Sequence, residues 1–304
     1  MSTGKLARGE PGAWRRFRRY RLAVASVWVL AGLFIATLAS PVIEAALGLD
    51  ADAVNLFDRA APPSVEHWLG TDELGRDLLL RLLRGGQVSL LVGFTAAIAS
   101  AVIGTCLGLV SGYFGGRVDA VIMRFADGVI SLPLLPLLIV LAAVDPEKLG
   151  LPEVISNSES FSLQRIVVII ALVGWPTVAR LVRAATLSLR QREFVLMALA
   201  QGFGPARIML RHILPNAASP ILVATTLTVG NVILFESVLS FLGLGIQPPV
   251  PSWGNMLTGA QDLISEAPAL AVWPGMLIFV TVIAFNLLGD GLQAALDPRS
   301  RKCR

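Results

Sequence analysis

The chain has 304 residues, 55% of them hydrophobic and only 15% charged, with 25 Lys and Arg against 21 Asp and Glu for a net charge of +4. A soluble domain carries about 25% charged residues, so this composition argues against an ordinary soluble globule, and the long apolar runs decide the class. Two cysteines, Cys106 in an apolar run and Cys303 at the far end, exclude a disulfide framework.

A membrane span needs about 20 predominantly apolar residues, and six runs meet that length. Residues 1–21 form a tail with seven basic residues, followed by a first transmembrane anchor over 22–43. A basic tail before an apolar run also opens a signal peptide. This run is long and the small-residue site near Ala39-Ser40 is weak, so it reads as an uncleaved anchor. Residues 44–87 form a loop with eight Asp or Glu against four Arg, with a surface helix expected over the mouth of the bundle around Gly70–Arg84. Residues 88–291 form a five-helix core with spans at 88–113, 121–144, 166–185, 216–241 and 270–291, and 292–304 is a second basic tail. The fold class is an all-α membrane protein with six transmembrane helices.

Basic residues fix the orientation. Nineteen of the 25 fall on the side of the two tails and the loop at 186–215, and six on the other. Loops rich in Lys and Arg stay in the cytoplasm. Both termini and the 186–215 loop are therefore expected inside, and this distribution accounts for the positive charge without nucleic acid.

Within the spans, Gly104, Gly108 and Gly112 recur every fourth residue, a spacing that lets a second helix approach closely. Pro133 and Pro136, Gly174-Trp175-Pro176 and Pro274-Gly275 mark kinks. Asp127 and Glu236 lie in apolar surroundings, where a charge costs about 2.5–3.5 kcal/mol at mid-membrane. Each must face protein or water, either on a translocation path or bonded to a neighbouring helix near a span end.

The chemistry of catalysis is missing. There is no G-x-x-x-x-G-K-[ST] loop for ATP and no H-E-x-x-H. The two histidines, His67 and His212, fall on opposite membrane faces by topology, so neither a Ser–His dyad nor a transition-metal cage has the residues it needs.

The loop Glu193–Pro215, EFVLMALAQGFGPARIMLRHILP, is a basic amphipathic segment between two apolar runs. Its Gly and Pro residues predict a helix–break–helix knob with Phe203 and Met209 exposed beside Arg207 and Arg211. Such a segment can also lie on anionic lipid. The Pro248–Trp253 turn reads as structural, with its tryptophan at the membrane interface.

Three stretches together resemble the inner-membrane permease subunits of binding-protein-dependent ABC importers of the dipeptide/oligopeptide/nickel class. They are His67-Trp68-Leu69-Gly70-Thr71-Asp72-Glu73-Leu74-Gly75-Arg76-Asp77, then Gly202 through Ile213-Leu214-Pro215-Asn216, and Glu236 through Gly245 with Pro251-Ser252-Trp253-Gly254, resuming at Phe285–Leu292 and Leu296-Asp297-Pro298-Arg299. The resemblance implies a type I importer permease fold in which the 186–215 loop supplies a coupling helix to a cytoplasmic ATPase, with Ala198, Gly202, Phe203, Arg207, Arg211, Leu214 and Pro215 as coupling residues. The family's E-A-A positions hold Leu196, Met197 and Ala198, so its acidic residue is missing, and Glu193 lies one turn earlier. Asp127 and Glu236 are candidates for the path, and Asp72, Arg76 and Asp77 for contact with a solute receptor or, equally, for a surface structural role.

Implied partners are a second homologous permease, two ABC ATPase subunits, an extracytoplasmic solute-binding protein and membrane lipid. The chain itself is expected to bind no cofactor, with ATP and Mg on the ATPase subunits. The location implied is the cell inner membrane. Peptides are the expected cargo; nickel, glutathione, a sugar or another small solute are alternatives. A stand-alone ion-coupled secondary transporter is the rival from another class. It would need intramembrane ionisable groups beyond Asp127 and Glu236 and usually a repeat. A non-transporting membrane scaffold is a third possibility.

Overall fold

The computed structural model describes residues 13–144 and 159–296. Lys5, Arg8, Lys148, the Asp297-Pro298-Arg299 motif, the tail residues Arg301, Lys302 and Arg304, and Cys303 lie outside the described residues. What is described is helical: α1 (Ala13–Phe17), α2 (Arg21–Leu38), α3 (Ser40–Leu47), α4 (Leu78–Phe114), α5 (Gly116–Ser131), α6 (Leu134–Ala142), α7 (Glu159–Arg190), α8 (Glu193–Ala200), α9 (Pro205–Phe241), α10 (Trp253–Gln261) and α11 (Ala269–Leu296). Five of these, α2, α4, α7, α9 and α11, are long and apolar enough to cross a membrane, and the bent pair α5–α6 makes a sixth.

The third span, expected as one run over 121–144, is broken, and its halves meet at 90°. A residue before proline is pushed out of the helical region, and Leu132 accordingly takes φ −81, ψ 140 before Pro133. Pro136 does no damage because it falls in the first turn of α6, where an N–H has no partner to lose.

The second span starts ten residues earlier than expected. Asp77 caps α4 by accepting from the Leu80 N–H at 2.9 Å, and the helix then runs 37 residues. At 1.5 Å per residue that is about 55 Å, well beyond a hydrocarbon core of about 30 Å. The first turns of α4 therefore form a platform outside the membrane, in place of the separate surface helix expected around Gly70–Arg84. Arg81 and Arg84, which the sequence placed in the loop before the span, are neutralised by Asp52, Asp72 and Glu44.

Helix α4 is the centre of the bundle, and glycine makes that possible. A Cβ on Gly104 would lie 2.7 Å from the Trp175 carbonyl oxygen, one on Gly108 2.6 Å from that of Ala179, and one on Gly112 2.7 Å from Thr186 Cβ. The four-residue glycine spacing is thus the seam between α4 and α7. On its other sides α4 presents Gly93 to Ile233 and Gly86 to Trp253. In lipid, where apolar tails compete with apolar side chains, such close contact is what favours helix association. An edge-to-face chain of Phe34, Phe94 and Phe285, with centroids 5.4 and 5.5 Å apart, joins α2, α4 and α11.

Trp253 is not at a membrane interface. It is fully buried, with Nε1 donating to the Leu82 carbonyl at 2.9 Å and its main-chain N–H to Ser89 Oγ at 3.2 Å. A capping box between Ser252 and Asn255 starts α10 at that residue and aims the indole inward.

Candidate functional site

The loop between α7 and α9 folds as a short helix seated on the end of the bundle. Val195 and Ala198, three residues apart on α8, are its buried pair and pack into a cluster with Leu109, Tyr113, Val178, Val182, Ile208 and Ile213. Glu193 stands in the first turn, where its charge suits the positive end of the helix dipole. The helix is closed by a Schellman turn: Gly202 N–H bonds to Leu199 O at 2.9 Å and Phe203 N–H to Ala198 O at 3.2 Å. That turn needs a left-handed residue, and Gly202 supplies it at φ +79. An added Cβ there would meet nothing within 4 Å, so the glycine is required for its backbone and not for space.

Beyond the turn, Pro205 opens α9, and Arg207, Phe203 and His212 stack. The Arg207 guanidinium lies 5.2 Å from the Phe203 ring centre, and the Phe203 and His212 rings are 5.9 Å apart at 19°. A π turn over Met209–Ile213 precedes Pro215. The wide turn fits a proline that can donate no hydrogen bond back to that segment, so the chain passes from loop to span as one helix, and the expected break falls at 201–204 between α8 and α9.

The exposed surface differs from expectation. Phe203 and Met209 are half-buried against the cluster, Leu214 packs on it, and Ala198 is buried outright. Exposed instead are Phe194, Leu196, Met197 and Leu199 on α8 and Leu210 on α9, with Arg192, Arg207, Arg211, Gly202 and Pro215 also open. The two positions that depart from the E-A-A pattern, Leu196 and Met197, therefore form the outer face of the knob.

At the opposite end, Asp72, Arg76 and Asp77 turn inward. They are buried at 4%, 7% and 4% exposure. Arg76 Nε donates to Asp72 Oδ2 at 2.7 Å, and Arg81 Nε lies 3.2 Å from the same oxygen. Asp72 Oδ1 also accepts the N–H groups of Leu74 and Arg76. Asp77 holds the α4 cap with one oxygen and His67 Nδ1 with the other, at 2.9 Å. These charges are spent on folding the loop, which corrects their assignment as receptor contacts.

Glu236 is likewise sealed, with no exposed surface. Its carboxylate accepts from Ser89 Oγ at 3.1 Å and Ser240 Oγ at 2.7 Å, while Ser89 and Ser240 accept the N–H groups of Trp253 and Ile246. Gly254 packs on Ser237, and Gly245 on Ser240. The whole Glu236–Gly254 signature is thus one joint between α4, α9 and α10, and its carboxylate does not line a path through the chain. Asp127 is exposed and pairs with Arg180 of α7.

Residues 104–302 match the family described as the binding-protein-dependent transport system inner membrane component, and residues 12–63 match the N-terminal transmembrane domain of oligopeptide transport permease C. The chain belongs to this family of importer permeases. It is 38% identical to the dipeptide transport system permease protein DppC of Alkalihalophilus pseudofirmus over 289 residues, covering 95% of this chain and 90% of that one. It is 43% identical to the glutathione transport system permease protein GsiD of Escherichia coli over 289 residues, covering 94% and 89%. It is 34% identical to the oligopeptide transport system permease protein OppC of Bacillus subtilis over 302 residues, covering 98% and 93%. Its fold is similar to that of a chain from the inward-facing MetNI methionine ABC transporter, with TM-score 0.55, 20% identity, and coverage of 71% of this chain and 97% of that one.

In this permease one group escaped the sequence reading. Asp119, at the start of α5, takes both Nε and Nη2 of Arg183 at 2.5 Å and also the Ser111 hydroxyl. Asp119 and Asp127 are eight residues apart on α5, and their partners Arg183 and Arg180 are three apart on α7. Two ion pairs therefore strap the broken span to α7. Helical spacing would have put each pair of residues on a common face, but only the tertiary fold brings the faces together.

Proposed function

We propose that this permease forms half of the translocation path of an ATP-driven importer of peptides in the cell inner membrane, with both termini in the cytoplasm. The surface that carries the reading is the knob: Phe194, Leu196, Met197 and Leu199 are exposed on a helix whose other side is rigidly seated in the bundle. Exposed apolar side chains among arginines suit a protein groove that is apolar at its floor and acidic at its rim. On this reading the partners are two ATPase subunits, a second permease and an extracytoplasmic binding protein. ATP and Mg reside on the ATPase subunits, where hydrolysis takes place, and this chain supplies no catalytic group. When the ATPase subunits close, α8 moves with them, and its seat on α4, α7 and α9 passes that movement to the spans. The peptide assignment is supported by relatives named for dipeptide, oligopeptide and glutathione transport.

The test is purification of the complex from native membranes in mild detergent, with wild type compared to Met197→Asp. The side chain is 62% exposed, so the variant should insert normally. The expected result is ATPase subunits recovered with wild type and lost with Met197→Asp. Equal recovery of ATPase activity with both would overturn the assignment of α8 as the coupling surface.

A further inference from the structure

Helix α2 meets the bundle closely at both ends and bridges a groove between them. Near its start, a Cβ on Gly291 of α11 would lie 2.2 Å from the Ala23 Cβ, and near its end one on Gly86 of α4 would lie 2.4 Å from Thr37 Cγ2. Between these contacts a groove of about 420 Å³ opens among α2, α4, α9 and α11, walled by Val27, Phe34, Ile98, Leu222, Thr226 and Leu288. Its walls are almost wholly hydrocarbon, because Thr226 spends its hydroxyl on the Leu222 carbonyl at 2.8 Å, and Thr225 beside it does the same with Ile221.

The groove ends beside a cationic collar. Leu288 of its wall also packs in the cluster that seats Phe17 against Ala23 and Ala295. Phe17 thereby pins α1 across the start of α2 and leaves Trp14, Arg15, Arg18, Arg19, Tyr20 and Arg21 exposed around it. Trp14 stacks on Phe17 with ring centres 6.0 Å apart. Among the described residues no carboxylate pairs with Arg15, Arg18, Arg19 or Arg21, and Asp290, exposed on α11 at the same end, bonds none of them. Tryptophan, tyrosine and arginine at the end of a span sit at headgroup level. Depth ties the collar to the groove. Val27 follows Arg21 by six residues and Phe34 by thirteen, about 9 and 20 Å along a helix. One leaflet supplies about 15 Å of hydrocarbon, so an acyl chain rooted at the arginines runs along the groove.

We infer that collar and groove are one site for an anionic phospholipid of the leaflet at the arginine end. The phosphate lies among Arg15, Arg18 and Arg19, and one acyl chain lies under α2. A neutral lipid leaves the arginines unpaired, and a soluble phosphate leaves the groove empty. One anionic lipid satisfies both, as basic pockets between spans do with such headgroups. Its chain also gives the middle of α2 the close contact that glycine provides only at the ends.

The experiment titrates the complete complex in mild detergent with phosphatidylglycerol and, in parallel, phosphatidylcholine, and counts bound lipid by native mass spectrometry. Wild type should bind one phosphatidylglycerol at least tenfold more tightly than phosphatidylcholine. Arg15→Gln combined with Arg18→Gln and Arg19→Gln should abolish that preference. Ala31→Phe, which fills the groove from its α2 wall, should weaken phosphatidylglycerol at least tenfold with every arginine in place. Wild-type affinity in Ala31→Phe would reduce the effect to general charge attraction and overturn the site, as would an unchanged preference in the arginine variant. Loss of the ATPase subunits from the arginine variant with lipid binding intact would assign the collar to a protein partner and overturn it too. A photoactivatable group midway along the acyl chain of phosphatidylglycerol needs no variant. Labelling of wild type at Val27–Phe34 or Leu222 supports the site, and labelling confined to other segments overturns it.

Discussion

The Trp253 indole donates from Nε1 to the Leu82 carbonyl at 2.9 Å, and its ring lies where a Cβ on Gly86 would come within 2.9 Å of Cζ2. One side chain thereby fixes α10 to the outer turns of α4, next to the Ser89–Glu236 hydrogen bond. Trp253→Phe keeps most of the apolar volume but loses the donor and should cost about 1–3 kcal/mol. Trp253→Ala adds a cavity and should cost about 3–5 kcal/mol. Thermal unfolding of the purified complex would rank them; equal midpoints for both would show that the hydrogen bond and not the packing is what matters there.

Two glycines with nearly the same backbone make a sharper comparison. Gly75 has φ +74 and Gly202 has φ +79, so any Cβ incurs about 1–2 kcal/mol at either position. Only at Gly75 does the Cβ also strike backbone, at Asn55. Gly202→Ala should therefore leave the chain folded with a loss of about 1–2 kcal/mol, and Gly202→Asn less, since Asn tolerates the left-handed region. Gly75→Ala should lose about 1–3 kcal/mol more through overpacking and expose residues 54–68 to protease. Matching protease patterns for Gly75→Ala and wild type would refute the role of the Gly75–Asn55 contact in holding residues 54–68.

The buried carboxylate at Asp72 gives a third expectation. It serves two arginines and two main-chain N–H groups, so Asp72→Ala would leave Arg76 with Glu73 alone and Arg81 with Asp52 alone, both arginines at under a tenth exposure. Breaking such a network costs about 3–5 kcal/mol. Asp72→Asn keeps hydrogen-bond acceptance without charge and should recover part of that. Steady-state abundance in membranes would report the difference, and an Asp72→Ala chain as abundant as wild type would count against a structural role.

Much of the bundle was legible because apolar runs of span length are a one-dimensional signal. The glycine row 104–108–112 could be assigned to packing on spacing alone. The failures share a cause: burial of polar or amphipathic groups depends on partners distant in sequence. Arg81 and Arg84 were left in the loop before the span because Asp52 and Glu44, 29 and 40 residues away, are not visible as partners. Trp253 looked interfacial because its acceptor is the carbonyl of Leu82, 171 residues earlier. Asp72, Arg76 and Asp77 looked like a charged surface for the same reason. On the knob, Phe203 and Met209 are half-buried where exposure was expected, because the cluster they pack on is built from α4, α7 and α9, and nothing local says which side of the segment will face it.

The two straps between α5 and α7 should differ in strength although both join Asp to Arg. Asp119 and Arg183 are 18% and 34% exposed and paired bidentately through two nitrogens, with Ser111 as a third partner. Asp127 and Arg180 are 55% and 47% exposed and joined through one nitrogen. Bidentate geometry and lower exposure both favour the first pair, whereas exposed single contacts contribute about 0.2–1 kcal/mol. A double-mutant cycle with Asp119→Asn and Arg183→Gln should give a coupling energy of about 1–2 kcal/mol, and the cycle with Asp127→Asn and Arg180→Gln less than about 1 kcal/mol. Because Asp119 sits at the first turn of α5, its loss should free that end of α5 from α7, lowering uptake more than abundance. Coupling that is larger in the Asp127–Arg180 cycle would overturn the order argued from exposure and bidentate geometry.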